Sequence, residues 1–130
     1  MQRIYDYLKK TKTYFLATSD NDKPDVRPFG TIEIIDGKLC IQTGRNKRVS
    51  QQIHANPQIA ICACDGATWL RIQAIAVEDP RIESQQKMLD AYPELKKLYA
   101  PGDGNTEIFK LESGSAVFSS FTDAPVVVNF

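Results

Sequence analysis

The chain has 130 residues, 42% of them hydrophobic and 25% charged, and its sixteen basic residues balance sixteen acidic ones. That length fits one domain (residues 1–130) able to bury its own core. Zero net charge gives no global field toward nucleic acid or an anionic membrane, so any attraction for a charged ligand has to be local. No apolar run approaches the ~20 residues that span a bilayer, and the N-terminal MQRIYDYLKK lacks the apolar core of a signal peptide. Three cysteines, Cys40, Cys62 and Cys64, are an odd number in strand-like segments, which reads as reduced thiols in a cytoplasmic protein.

In chain order, Ile4, Tyr5 and Leu8 fall at helical spacing and predict a helix over 2–11. Tyr14–Thr18 reads as a first strand, residues 19–24 as a turn, and Asp25–Ile35 as one longer strand. Pro28 cannot donate to a ladder, which places that strand at an edge or a bulge and leaves backbone groups free. Asp36-Gly37 is a strong hairpin signal, because both turn positions tolerate positive φ. Strand three runs over Lys38–Thr43. With partner numbers summing to about 73, Thr43 faces Gly30 and Gln42 faces Thr31.

Arg45-Asn46-Lys47-Arg48 then leads into a helix of about ten residues, with Val49, Gln52 and Ile53 inward, stopped at Asn56-Pro57. Gln58–Cys64 and Thr68–Glu78 are the next strands, the second with Leu70, Ile72, Ala74 and Ala76 on one face. Helical segments follow over 80–92 and from Pro93. Thr106–Leu111 and Ser115–Phe121 are two last strands before an extended Val126–Val128 tail. Six or so antiparallel strands with helices at the margins predict a mainly β protein, a small barrel with flanking helices.

Three cations within four residues (Arg45, Lys47, Arg48) at a helix N-terminus form a candidate anion site, to which Thr43, Gly44 and Ser50 could add neutral donors. The competing reading is a solvated charged turn, and no Walker sequence is present. Arg27 is either part of this site, brought there by strand register, or a surface ion pair. Trp69 and Arg71 present an aromatic wall with a cation, or ordinary packing. Cys62 and Cys64 read as buried small hydrophobes, because one histidine and Cys40 do not complete a credible metal set. No metal site and no Ser/His/Asp or Cys/His constellation is expected, His54 reading as a cap or surface residue. A basic nucleic-acid-binding face is absent.

The runs YFLATSDNDKPDVRPFG, DGKLCIQTGRNKRVSQQIHANPQIAIC and WLRIQAIAVEDP resemble the pyridoxamine 5′-phosphate oxidase-like family of FMN-binding split barrels. The short bacterial, nitroimidazole-reductase-like members are the most similar. The resemblance covers nearly the whole chain. It implies a six-stranded antiparallel split barrel that forms a homodimer with FMN at the subunit interface. It places Arg27, Pro28, Phe29 and Gly30 on the strand lining the flavin, and Gln42 and Thr43 on the next. Lys47 and Arg48 match phosphate-binding positions, although family members often carry a further lysine where this chain has Val49. Trp69, Leu70 and Arg71 match a strand that approaches flavin from the neighbouring part of the dimer.

The implied function is an FMN-dependent oxidoreductase, passing hydride or electrons from a small-molecule donor to a small-molecule acceptor. The alternative is an FMN-binding carrier, electron-transfer or sensor protein without turnover. No side chain is assigned as catalytic, since the cofactor carries the redox chemistry. Full-length pyridoxamine phosphate oxidases carry a C-terminal arginine and histidine for substrate phosphate. The tail FTDAPVVVNF has neither, so vitamin B6 oxidation is not expected.

Overall fold

A computed structural model describes all of residues 1–130. Its elements are α1 (Gln2–Thr11), β1 (Tyr14–Asp20), β2 (Lys23–Phe29), β3 (Glu33–Ile35), β4 (Lys38–Gly44), α2 (Arg48–Ala55), β5 (Gln58–Asp65), β6 (Thr68–Asp79), α3 (Ile82–Ala91), a 3-10 turn (Pro93–Lys97), β7 (Thr106–Ser120) and β8 (Val126–Asn129). The strands form one antiparallel sheet in the order β2-β1-β5-β6-β7-β4-β3, with β8 added to β7. Its two outermost strands, β2 and β3, are successive pieces of chain joined by Gly30, Thr31 and Ile32 alone. A three-residue link cannot cross a flat seven-strand sheet, so the sheet must curl until its edges meet. The result is a split barrel, closed by covalent continuity where a ladder is missing.

The strand expected over Asp25–Ile35 is therefore two strands with a kink. Backbone groups at a kink lose their ladder partners and have to find others. Here they find side chains. The Tyr14 hydroxyl donates to Thr31 O at 2.6 Å. The Tyr92 hydroxyl accepts from Ile32 N–H at 3.0 Å and donates to Ile32 O at 2.9 Å. Thr31 Oγ1 accepts from Gln42 N–H at 3.0 Å, extending the β3–β4 register by one side chain. That register pairs Glu33 with Cys40 and Ile35 with Lys38, as the hairpin signal predicts, and Asp36 and Gly37 both take positive φ.

Inside the barrel, alternate residues of each strand converge on one core that includes Leu16, Ile41, Ile61, Leu70, Ile72 and Phe109. Leu70, Ile72, Ala74 and Ala76 all point inward, as their alternation predicts. Helix α1 contributes Ile4 and Leu8, and α2 contributes Val49 and Ile53. Outside the barrel wall, α3 packs Met88 on Ile35, Cys40 and Ile108 in a second small cluster. Strand β4 lies between these two layers, which is why Leu39–Gly44 is buried without alternation.

Three further expectations are corrected. The last two strands are one, β7, because β6 runs unbroken beside it; the Ser113-Gly114 break is a bulge with Ser113 at φ 50°. Helix α2 has eight residues and starts at Arg48, leaving Arg45–Lys47 in the turn before it. Cys62 and Cys64 are exposed and only Cys40 is buried. Ile59, Ile61 and Ala63 take the inward positions of β5, and period-two geometry then sends both thiols outward.

Tyr92→Phe should leave both the N–H and the C=O of Ile32 without their partner in a part-buried kink. We expect a loss of about 1–3 kcal/mol in urea unfolding. Stability equal to the parent protein would show that the tyrosine does not hold the kink.

Candidate functional site

The kink opens a cavity of about 710 Å³. One wall is Arg27–Thr31, with Gln42 and Thr43 from the end of β4 and Lys47 and Val49 from the start of α2. The facing wall is Leu8, Lys9 and Lys12 from α1 and its end, then Tyr92, Glu94, Leu95, Leu98 and Tyr99. Arg27–Gly30 thus meets Thr43 and Lys47 on one cavity, although the β3–β4 ladder ends at Glu33–Cys40 and the expected Thr43–Gly30 and Gln42–Thr31 strand pairs are not made.

Seven of the twelve expected site residues line this space: Arg27, Pro28, Phe29, Gly30, Gln42, Thr43 and Lys47. Arg27 is tightly engaged. Its Nη1 donates to Leu16 O at 3.2 Å and Thr18 Oγ1 at 2.7 Å, and its Nη2 donates to Gln52 Oε1 at 3.0 Å and pairs with Asp25 at 3.1 Å. The hydrogen bond from Gln52, helped by the Arg27 charge, holds the Asp25 carboxyl below the usual carboxylate range. Arg27 therefore pins β2 to β1 and α2. Pro28 sits on the sheet edge, since β2 pairs with β1 alone.

The three loop cations separate. Lys47 lines the cavity and takes part in no ion pair, whereas Arg48 turns outward to Asp20 at 3.4 Å. Arg45 is taken by Glu78 at 2.5 Å and Glu107 at 3.1 Å. No side chain caps α2; Ser50 N–H turns back to Lys47 O at 3.1 Å, and the Arg48 and Val49 N–H groups remain open beside Lys47. Gly44 supports the loop from behind: a Cβ there would lie 2.9 Å from the Tyr99 hydroxyl and 3.0 Å from Asn46 Oδ1. Glycine is what lets Tyr99 close onto the loop.

Of the remaining five, Gly44 stands behind the loop and the other four lie elsewhere or are occupied. Ser50 is buried and donates to Glu107 at 2.5 Å. Trp69 and Arg71 are on the outer face of β6, where Trp69 packs on Phe121 with ring centroids 5.1 Å apart. Arg48 faces Asp20, as above.

Sequence reasoning missed the facing wall. Lys9 Nζ lies 4.6 Å over the Tyr92 ring and 3.3 Å from its hydroxyl. Burial works against the Lys9 ammonium, but the Tyr92 hydrogen bond and charge outweigh it and raise the pKa. Four cations, Lys9, Lys12, Arg27 and Lys47, against one acid, Glu94, make the lining cationic. It holds no cysteine, histidine or serine.

The comparisons agree with this geometry. A family profile described as pyridoxamine 5′-phosphate oxidase matches residues 1–116. A NimC/NimA family protein from Clostridium acetobutylicum is 30% identical, with 100% of this chain and 92% of that one covered at a TM-score of 0.96. General Stress Protein 26 from Bacillus anthracis shares the fold at 19% identity and TM-score 0.78, covering 99% of this chain and 97% of its own. A structure named F420 reductase shares it at 22% identity and TM-score 0.59, covering 82% and 89%. A search of curated proteins returned no match. With the family profile matched over residues 1–116, this chain belongs to the pyridoxamine 5′-phosphate oxidase-like family and has the split-barrel fold of flavin-type oxidoreductases.

Proposed function

We propose that the cavity binds FMN and that the protein is an FMN-dependent oxidoreductase acting on a small-molecule acceptor. The observation that carries this reading is the meeting of a free strand edge at Pro28–Gly30 with an unpaired lysine and an uncapped helix start in one cavity. A volume of about 710 Å³ lies within the range of cofactor sites. Lys47, the first-turn N–H groups of α2 and Thr43 suit a phosphate dianion. The backbone at Pro28–Gly30, with Phe29 and Leu8, suits a flat heteroaromatic ring that has a polar edge. Bound FMN would supply two-electron redox chemistry. The chain would bind and orient it, and the Tyr92–Tyr99 wall would limit water. The one acid in the lining is Glu94, so a proton for the acceptor would come from solvent or from that carboxyl.

The outer sheet face supports a dimer. Pro28, Phe15, Cys62, Arg71, Val117 and Val127 pair in sequence across six strands, forming one row with a single charge, Arg71. Phe15 is 49% exposed and Val127 59%, an apolar strip suited to a second copy. Trp69 and Arg71 lie on this face and away from the cavity of their own chain. They would act on a flavin held by the partner.

FMN titration followed by flavin fluorescence tests the assignment. Lys47→Ala should weaken binding about ten- to a hundredfold, the value of one charge-assisted hydrogen bond. Arg48→Ala should change it far less. Equal affinities for all three proteins would remove the phosphate site. Anaerobic reduction of the FMN complex with a nicotinamide donor, then addition of quinone and nitroaromatic acceptors, separates enzyme from carrier: a bound flavin that never reoxidises onto an acceptor favours the carrier.

Val117→Asp puts a carboxylate in the middle of the apolar row. It should convert a dimer to monomer in sedimentation velocity and lower FMN affinity in parallel. A parent protein that already sediments as a monomer and binds FMN would rule out the shared site.

A further inference from the structure

Behind the lysine turn, outside the cavity, lies a second group of side chains that the proposed redox function does not use. Glu107 on β7 has no solvent exposure, and its carboxylate sits among three elements. Oε1 accepts from the Ser50 hydroxyl at 2.5 Å. Oε2 meets His54 Nε2 at 2.8 Å and Arg45 Nη1 at 3.1 Å. Glu78, from β6, brings Oε1 to 3.9 Å from the same His54 nitrogen, and its Oε2 is bound by Arg45. One ligand atom from each of His54, Glu78 and Glu107 falls within 4.8 Å of the others.

We propose that His54, Glu78 and Glu107 form a zinc site, for which the Arg45 guanidinium is the resident substitute. A buried carboxylate needs a cation, and two glutamates beside one imidazole offer the oxygen and nitrogen donors that one compact divalent ion can use at once. In a tetrahedral site with bonds of about 2.0–2.1 Å, ligand atoms stand about 3.3 Å apart. The two His54–carboxylate separations, 2.8 and 3.9 Å, bracket that value, so each changes by about half an ångström. The Ser50 hydroxyl fixes the Glu107 carboxylate from behind, the outer-shell hydrogen bond that metal ligands usually have. The His54 ring is steadied by Phe109, 5.5 Å away between centroids. One imidazole with two carboxylates favours zinc over magnesium or calcium. Solvent reaches the site past His54 and Glu78, which leaves a fourth position for water.

Arg45 and the metal need the same oxygens, so they exclude each other. Arg45 is half exposed, on the turn, and can leave without disturbing the core. Zinc then frees a guanidinium at the turn that carries Lys47, two residues from the cavity wall.

The test uses full-length protein without a histidine tag, in a Cys62→Ala/Cys64→Ala background that removes competing thiols. His54 is the only histidine, so its ring resonances report on one position. Zinc titrated against a chromophoric chelator should bind one per chain and shift the His54 ring signals. His54→Ala and Glu78→Gln should each weaken it at least tenfold, and Arg45→Gln should tighten it at least tenfold. Circular dichroism confirms that each variant folds. Zinc affinity unchanged in His54→Ala, or His54 resonances that ignore zinc, would overturn the site. Arg45→Gln binding no tighter than the parent would overturn the competition.

Discussion

Two tyrosine hydroxyls and one threonine hold this fold in its working shape. At Thr31 and Ile32 the chain leaves one edge of the sheet and joins the other, and there the backbone has no ladder to complete. Tyr14 and Tyr92 replace the missing partners, with the Thr31 hydroxyl standing in for one more. A buried N–H or C=O without a partner costs on the order of 1–3 kcal/mol, enough to matter in a domain whose net stability is about 5–15. The same kink separates β2 from β3 and so opens the cavity. Closing the barrel and making the site are one event.

The polar residues around that opening divide the work. Arg27, the most prominent cation in the sequence motif, is consumed by Leu16, Thr18, Asp25 and Gln52 and positions the strand. Lys47, in the middle of a charged turn, is left free to meet an anion. The turn itself is anchored from outside the cavity: Arg45 reaches Glu78 and Glu107, while Ser50 and His54 reach Glu107 from α2. A buried carboxylate therefore sets the position of the turn, and whatever cation neutralises it, guanidinium or zinc, acts on the mouth of the site.

Much of this was legible in the residues. Asp36-Gly37 marked a hairpin and its register, which holds from Ile35–Lys38 to Glu33–Cys40 and ends before the kink. Alternation placed Leu70, Ile72, Ala74 and Ala76 inward, and helical spacing placed Ile4, Leu8, Val49 and Ile53. What failed was non-local. The cavity wall at Tyr92–Tyr99 lies about fifty residues from the β4 end it covers, and helical spacing does not say which sheet a helix will cover. Cys62 and Cys64 looked buried because apolar composition was read without parity; Ile59 and Ile61 already held the inward set. Three adjacent cations looked like one site because spacing cannot show that Glu107 and Asp20 claim two of them. The Glu107 cluster joins residues from α2, β6 and β7, and only the folded chain makes it a group.

A crystal structure of the protein grown with FMN tests the central claim most directly. We predict that the flavin phosphate lies within hydrogen-bond distance of Lys47 Nζ and the first-turn amides of α2. The ring should run along Pro28–Gly30, with its far side against Trp69 and Arg71 of a second copy. A flavin seated on another surface, or a cavity still empty at saturating FMN, would contradict it.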